Sequence, residues 1–217
     1  MVSKNAEDYL ETIYDLTRDG APAKTKDIAA RLEVSPASVS EMVRKLAEQG
    51  YLDYERYRGV YLNDRGLKEA RRVRRRHRLL HRFLVDILGI RGEKGEEEAC
   101  RLEHIVSDDS MKRICKIVRP GNGDSKPFPE CNDDCDLYDD ESILPLSEME
   151  EGEEAMISFL TCDNPGKVRR LISMGFVPGR KVKLEEDISM GGSLLVTIED
   201  CRVALAEDYA GLVHVKR

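Results

Sequence analysis

Cys100, Glu103 and His104 stand at spacings i, i+3 and i+4 in the stretch EEEACRLEHIVSDD. On a helix those spacings put a thiol, a carboxylate and an imidazole on one face. All three are common ligands of divalent transition metals, and their face is centred roughly 120° from the Ala99, Leu102, Val106 stripe, so they are not simply core residues. The competing reading is a solvated polar face with an incidental cysteine. His77 and His81 form an i, i+4 pair at the edge of another apolar stripe. Metal-binding helices use that spacing, but histidines bordering a basic surface also adopt it by snorkelling. Asp8 and Glu11 add an i, i+3 acid pair. Cys131 and Cys135 are spaced CxxxC in an acidic stretch, with no second Cys/His pair to complete a tetrahedral zinc site. Cys115, Cys162 and Cys201 read as small buried apolar residues.

The elements that must position these groups follow from periodicity. Tyr9, Leu10, Ile13 and Tyr14 form a helical stripe whose opposite face carries Asp8 and Glu11. Thr25 precedes KDIAARL, a short amphipathic helix, and a Glu33-Val34-Ser35 turn leads into a second helix. There Ser35 is the expected N-cap, Pro36 takes the first helical position, and Gly50 marks the stop. The second helix buries Val39, Met42, Val43 and Leu46 and presents Ala37, Ser38, Ser40, Glu41, Arg44 and Lys45 outward, the description of a helix-turn-helix. The alternating YLDYERYRGVYLN then predicts a β-hairpin, in the position of a wing.

Residues 65–88 predict one long helix, basic in its first half and apolar in its second. The basic cluster EARRVRRRHR, residues 69–78, is either a phosphate-contacting surface or a salt-bridged helix face, and beside a helix-turn-helix the former is favoured. Helices around 96–106 and 108–119 complete a small helical unit able to bury a dimer interface. From Pro120 to Glu154 apolar periodicity is lost among Pro, Gly and acidic residues. AMISFL, RKVKLEEDI, LLVTI, RVALA and LVHV then predict short strands, with KVRRLISMG a short helix, the pattern of a small β-barrel. The fold class is mainly α with a small β domain. Its expected divisions are a winged helix-turn-helix DNA-binding domain at 1–64, a helical metal-binding and dimerisation domain at 65–119, an acidic linker at 120–144 and a small β-barrel at 145–217.

The net charge of -7 conceals an asymmetry: residues 1–82 carry 18 Lys and Arg against 13 Asp and Glu. The basic excess therefore falls on the part that would meet nucleic acid. No run of about 18 apolar residues or signal-peptide core is present, so a cytoplasmic protein without membrane partner is expected. The absence of a Gly-rich phosphate loop, GxSxG or HExxH argues against an enzyme and against a small-molecule substrate.

The segments EDYLETIYDL, KDIAARLEVSPASVSEMVRKLAEQGYLDYERYRGVYLNDRG, HRLLHRFL and EEEACRLEHIVSD, in that order and spacing, resemble the diphtheria toxin repressor family of iron- and manganese-dependent transcription repressors. RRLISMGFVPGRKV resembles the SH3-like, FeoA-type barrel of its longer members. The resemblance implies a primary metal site of Asp8, Cys100, Glu103 and His104, and an ancillary site of His77 with His81 and Glu96. Asp8 is manganese-type where iron-type members have methionine, and Cys100 is iron-type. His81 and Glu96 stand as if exchanged between their positions in iron-type members. Glu11 matches a manganese-type ligand, and Asp163 or Asn164 lies near positions from which iron-type barrels donate ligands. The implied cofactor is Fe(II) or Mn(II), two ions per subunit, ordering a homodimer on operator DNA and controlling metal-uptake genes. Thr25, Ser35, Pro36, Ala37, Ser38, Ser40, Arg44, Arg56 and Arg58 are the residues expected to meet DNA. Two rivals remain: a winged-helix regulator that senses an organic ligand or redox state without metal, and a zinc enzyme built on Cys100, Glu103 and His104.

Overall fold

The computed structural model describes residues 3–55, 59–119, 142–188 and 192–217. Arg56, Arg58, Cys131 and Cys135 lie outside the described residues. By their contacts the residues sort into two compact units, Met1–His77 with Glu103–Ile105, and Arg78–Leu102 with Val106–Arg217.

In the first unit, α1 (Lys4–Leu16) starts at Ser3, whose Oγ accepts the Ala6 N–H at 3.4 Å. The next helix, α2 (Thr25–Leu32), begins at Thr25 itself and ends at Glu33, which takes a left-handed φ of 55° to turn the chain. The Ser35 N-cap of α3 (Pro36–Glu48) accepts the Ser38 N–H at 3.1 Å, and Pro36 occupies the first turn. Tyr9, Leu10, Ile13, Ile28, Val39, Val43 and Leu46 are all buried in one cluster. Removing each such aliphatic side chain from water is worth about 1.5–3 kcal/mol, so the helix-turn-helix is held by the stripes its sequence displays. Strands β1 (Leu52–Glu55) and β2 (Gly59–Leu62) pair antiparallel with Leu52 opposite Leu62. Ala23 and Val60 exchange backbone hydrogen bonds of 3.0 Å, which fastens the hairpin to the loop before α2.

The hairpin leads into α4 (Asp64–Arg82), whose residues through His77 belong to the first unit. Three of its arginines depart from the favoured reading of the 69–78 cluster. Arg72 pairs with Glu69 and Glu7, and Arg74 pairs with Glu11 and Asp15 of α1. Arg76 is buried and donates from Nε to the Glu103 carbonyl at 2.6 Å. Charge-assisted hydrogen bonds to the acids of α1 offset the cost of taking these arginines partly out of water, and removing one partner would strand the other's charge. Arg72, Arg74 and Arg76 are therefore committed within the protein, leaving Arg71 as an exposed arginine of that stretch.

In the second unit the long helix expected through residue 88 changes character. After Arg82 the segment Phe83–Ile87 is a π-helix, with the Leu88 N–H on the Phe83 carbonyl at 3.0 Å, and Gly89 at φ 74° ends it. Helix α5 (Gly92–Leu102) starts earlier than its periodicity suggests, and within it Gly95 is buried where a Cβ would stand 2.7 Å from Val85 Cγ2. Ser107 caps α6 (Asp108–Val118). A six-stranded antiparallel sheet follows in the order β3-β8-β4-β5-β6-β7. Its strands are β3 (Ile143–Pro145), β4 (Glu154–Leu160), β5 (Lys181–Ile188), β6 (Ser193–Ile198), β7 (Cys201–Ala206) and β8 (Val213–Lys216). Helices α7 (Pro165–Ser173) and α8 (Glu207–Ala210) complete it. The stretch without apolar periodicity hid β3 and the fully buried Leu146, which belong to the sheet's core. Cys115 and Cys162 are buried as expected, but Cys201 is exposed, since it opens the edge strand β7. Among the described residues no helix is long and apolar enough to cross a membrane.

Candidate metal centre

Helix α1 supplies Asp8, and the turn after α5 supplies Glu103 and His104, which join the first unit. This corrects the shared helix face: α5 stops at Leu102, so Cys100 lies in its last turn while Glu103 and His104 are in the turn beyond. The Ser107 cap of α6 ends that turn, which is why helical periodicity could not describe it. His104 Nε2 is 2.9 Å from Asp8 Oδ1 and 3.1 Å from Glu103 Oε1. One ligand atom from each of Asp8, Glu103 and His104 can be chosen so that all lie within 4.8 Å of one another. The side chains of His104 and Glu103 are 2% and 3% exposed, whereas Asp8 opens partly to solvent.

Behind His104 stands Glu7, which the sequence reading did not single out. Its Oε2 is 2.6 Å from His104 Nδ1, and it also pairs with Arg72. The available signal was its position three residues before Leu10, inside the apolar stripe, where an unpaired acid is costly. When His104 donates its Nδ1–H to Glu7, the Nε2 lone pair faces Asp8 and Glu103. In that tautomer three electron-rich atoms converge, and either a proton on Nε2 or a bound cation makes the arrangement favourable. The donor set of two carboxylates and an imidazole suits a hard to borderline divalent cation, so the residues fit such an ion.

Glu103 is itself held in place: its Oε2 is 2.8 Å from His77 Nδ1, and its carbonyl accepts from Arg76. Glu11 lies close by but bonds Arg74 Nη1 at 3.0 Å. Burial, then repulsion by Glu103, raises its pKa, and the bond and charge of Arg74 oppose that rise.

The second unit holds Cys100, exposed, and a pair of half-buried His81 and exposed Glu96, with Nε2 and Oε2 3.5 Å apart. Asn164 accepts the Gly166 and Lys167 N–H groups at 2.9 and 3.3 Å as the N-cap of α7, so its oxygen is engaged in the barrel.

Of the expected DNA-contacting residues, Ser35, Pro36, Ala37, Ser38, Ser40 and Arg44 are exposed along α3 and Thr25 is partly exposed at the start of α2. The Ser38 and Ser35 hydroxyls are 2.8 Å apart, and Ser40 donates to the Pro36 carbonyl at 2.9 Å. Each hydroxyl oxygen retains acceptor capacity for an incoming group.

Residues 1–60 match the family model of the N-terminal DNA-binding domain of iron dependent repressors. Residues 63–124 match the metal-binding and dimerisation domain of the same repressors, and residues 144–217 match the FeoA domain. The chain is 31% identical over 230 residues to the iron-dependent repressor IdeR of Mycobacterium tuberculosis, covering 97% of this chain and 96% of that protein. It is 41% identical over 119 residues to the HTH-type transcriptional regulator MntR of Bacillus pumilus, covering 55% of this chain and 82% of that one. The crystal structure of the metal-dependent transcriptional regulator MtsR shares its fold at TM-score 0.51 and 24% identity, with 98% of each chain covered.

Proposed function

This chain belongs to the iron-dependent repressor family, and on that premise we propose that it is a DNA-binding repressor in which Asp8, Glu103 and His104 hold Fe(II) or Mn(II). The single observation that carries the site is the convergence of Asp8, Glu103 and His104 Nε2 at 2.9 and 3.1 Å, with Glu7 bonded to the far nitrogen of the ring. The family resemblance supports Cys100 as the thiolate ligand of this ion. It equally supports a second ion held by His77, His81 and Glu96. Bound there, a divalent ion supplies positive charge that joins carboxylates otherwise repelling one another.

The residues themselves account for the rest. Glu7 orients the imidazole, His77 and Arg76 fix Glu103, and Asp8 ties α1 to the turn between α5 and α6. Fixing α1 restrains α3, which packs with it in one core. In a homodimer two α3 helices would then be held for half-sites about 34–36 Å apart per turn of DNA. Ordering them in advance is worth on the order of 1–3 kcal/mol of coupling, and operator DNA must tighten metal binding by the same factor. Ser35, Pro36, Ala37, Ser38 and Ser40 face base edges, and Thr25, Arg44, Arg56 and Arg58 serve the phosphates. The genes under control are those of metal uptake, and the protein is a regulator with no turnover of its own.

The experiment is an operator-binding titration with anaerobic Fe(II) and with Mn(II), for the wild type and Glu103→Gln. Affinity should rise with either metal in the wild type, fall back with chelator, and stay low in the variant. Equal DNA affinity with and without metal would end this reading and favour a regulator that ignores metal.

A further inference from the structure

Helix α1 carries acids at 7, 8, 11 and 15, and these four can be matched with their surroundings one by one. Glu7 faces Arg72 and His104. Asp15 faces Arg74 at 3.7 Å, Arg31 at 3.6 Å and Arg18 at 3.9 Å. Asp8 and Glu103 converge on His104 Nε2, where a divalent ion would balance them.

Glu11 is the remaining acid. It stands one helical turn from Asp8, its side chain is only 16% exposed, and the charge of Glu103 adds to burial in raising its pKa. A carboxylate in that position has two ways to be neutralised in a poorly solvated site. It can share a second metal ion beside the first, or it can take a cation from the protein. Arg74 supplies the cation: its Nη1 sits 3.0 Å from Glu11 Oε1 and also reaches Asp15.

We propose that the Arg74 guanidinium is a resident cation occupying the place of a second metal ion beside Asp8, Glu103 and His104, so that this acidic pocket takes one divalent ion and Glu11 does not ligate it. The inference rests on the metal site proposed above and adds to it what limits the site's occupancy. A guanidinium is always charged and is fixed by its planar fork, so metal concentration does not displace it as it would a water or a proton. The pocket therefore answers to its metal as a single-ion site, and a change at one α4 residue converts it to a paired one.

The test is Mn(II) loading of the full chain, with bound ions counted per chain and exchange coupling between them read by electron paramagnetic resonance. Wild type should show uncoupled Mn(II). Arg74→Met should bind one more Mn(II) per chain than wild type, now with a spin-coupled pair. Arg74→Lys, which keeps a charge, and the double variant Arg74→Met/Glu11→Gln should show neither. Glu11→Gln alone should keep the wild-type Mn(II) count and affinity within about threefold. The inference is overturned by a coupled pair in the wild type, by a folded Arg74→Met chain with no added ion, or by tenfold weaker Mn(II) binding in Glu11→Gln. That last measurement decides the matter even if Arg74→Met fails to fold. Should Asp8→Asn retain every Mn(II) of the wild type, the failure lies with the Asp8 site itself and is told apart from a failure of the Arg74 role.

Discussion

Glu7 Oε2 lies 2.6 Å from His104 Nδ1 across 97 residues of sequence, and the same carboxylate pairs with Arg72. A buried acid is thereby bound on one side by an arginine and on the other by the imidazole whose far nitrogen faces Asp8 and Glu103. The position of Glu7 is thus defined by Arg72 and His104 more than by the helix that carries it.

Replacing Glu7 with Gln should loosen the orientation of His104 without opening a cavity. Outer hydrogen bonds of this kind typically contribute 10- to 100-fold in metal affinity. Mn(II) affinity should fall within that range, measured by competition with a fluorescent chelator, while operator affinity at saturating Mn(II) stays near that of the wild type. Unchanged Mn(II) affinity would show that the ring is oriented by other means.

What was legible in the sequence was local. The Ser35-Pro36 start, the apolar stripe Val39, Val43, Leu46 and the glycine at 50 each act within a turn or two, and α3 formed as they dictate. The strands after residue 154 likewise follow from alternation. Glu7 was not legible, because its worth lies in partners on α4 and on the turn after α5. The arginines of 69–78 look alike in sequence, and only the acids of α1 decide that Arg72 and Arg74 turn inward. The end of α5 at Leu102 was hidden because Glu103 and His104 continue the helical spacing, although tertiary hydrogen bonds to His77, Arg76 and Glu7 hold them in a turn.

On α3, Arg44 is exposed and only loosely paired with Glu48 at 3.9 Å. As a phosphate contact, its replacement by Ala should weaken binding about equally for operator and unrelated DNA, and reduce the salt slope by about 1. Ser38→Ala should instead narrow the gap between the two DNAs. Fluorescence anisotropy across a range of potassium chloride concentrations separates these outcomes, and an Arg44→Ala protein with an unaltered slope would remove Arg44 from the interface.

Gly66 tests the joint between hairpin and α4. A Cβ there would lie 2.0 Å from the Tyr51 carbonyl oxygen, and the Gly66 N–H is already bonded to Asn63 Oδ1 at 3.0 Å. The backbone must shift to admit even a methyl group, at a cost typical of overpacking, about 1–3 kcal/mol. Urea unfolding of Gly66→Ala should show that loss. A melt superimposable on wild type would mean the hairpin moves freely against α4.

The barrel offers a pH prediction whose sign can be worked out. His214 of β8 stacks on Phe159 with ring centroids 4.3 Å apart, and the buried Arg119 lies 4.0 Å over the other ring's centroid. Burial, then the Arg119 charge, lowers the His214 pKa from 6.5 to about 4. Between those two values the unfolded chain takes up a proton that the folded chain refuses, so stability is full above about pH 6.5, falls as pH drops toward 4, and is level below. The shift corresponds to on the order of 3 kcal/mol. His214→Gln removes this contribution while other titrating groups stay the same, so the difference between the two proteins isolates it. Urea melts at pH 7.5 and 4.5 should show wild type losing roughly 2–3 kcal/mol more than the variant. Parallel losses would mean that the imidazole gains its proton as readily in the barrel as in water.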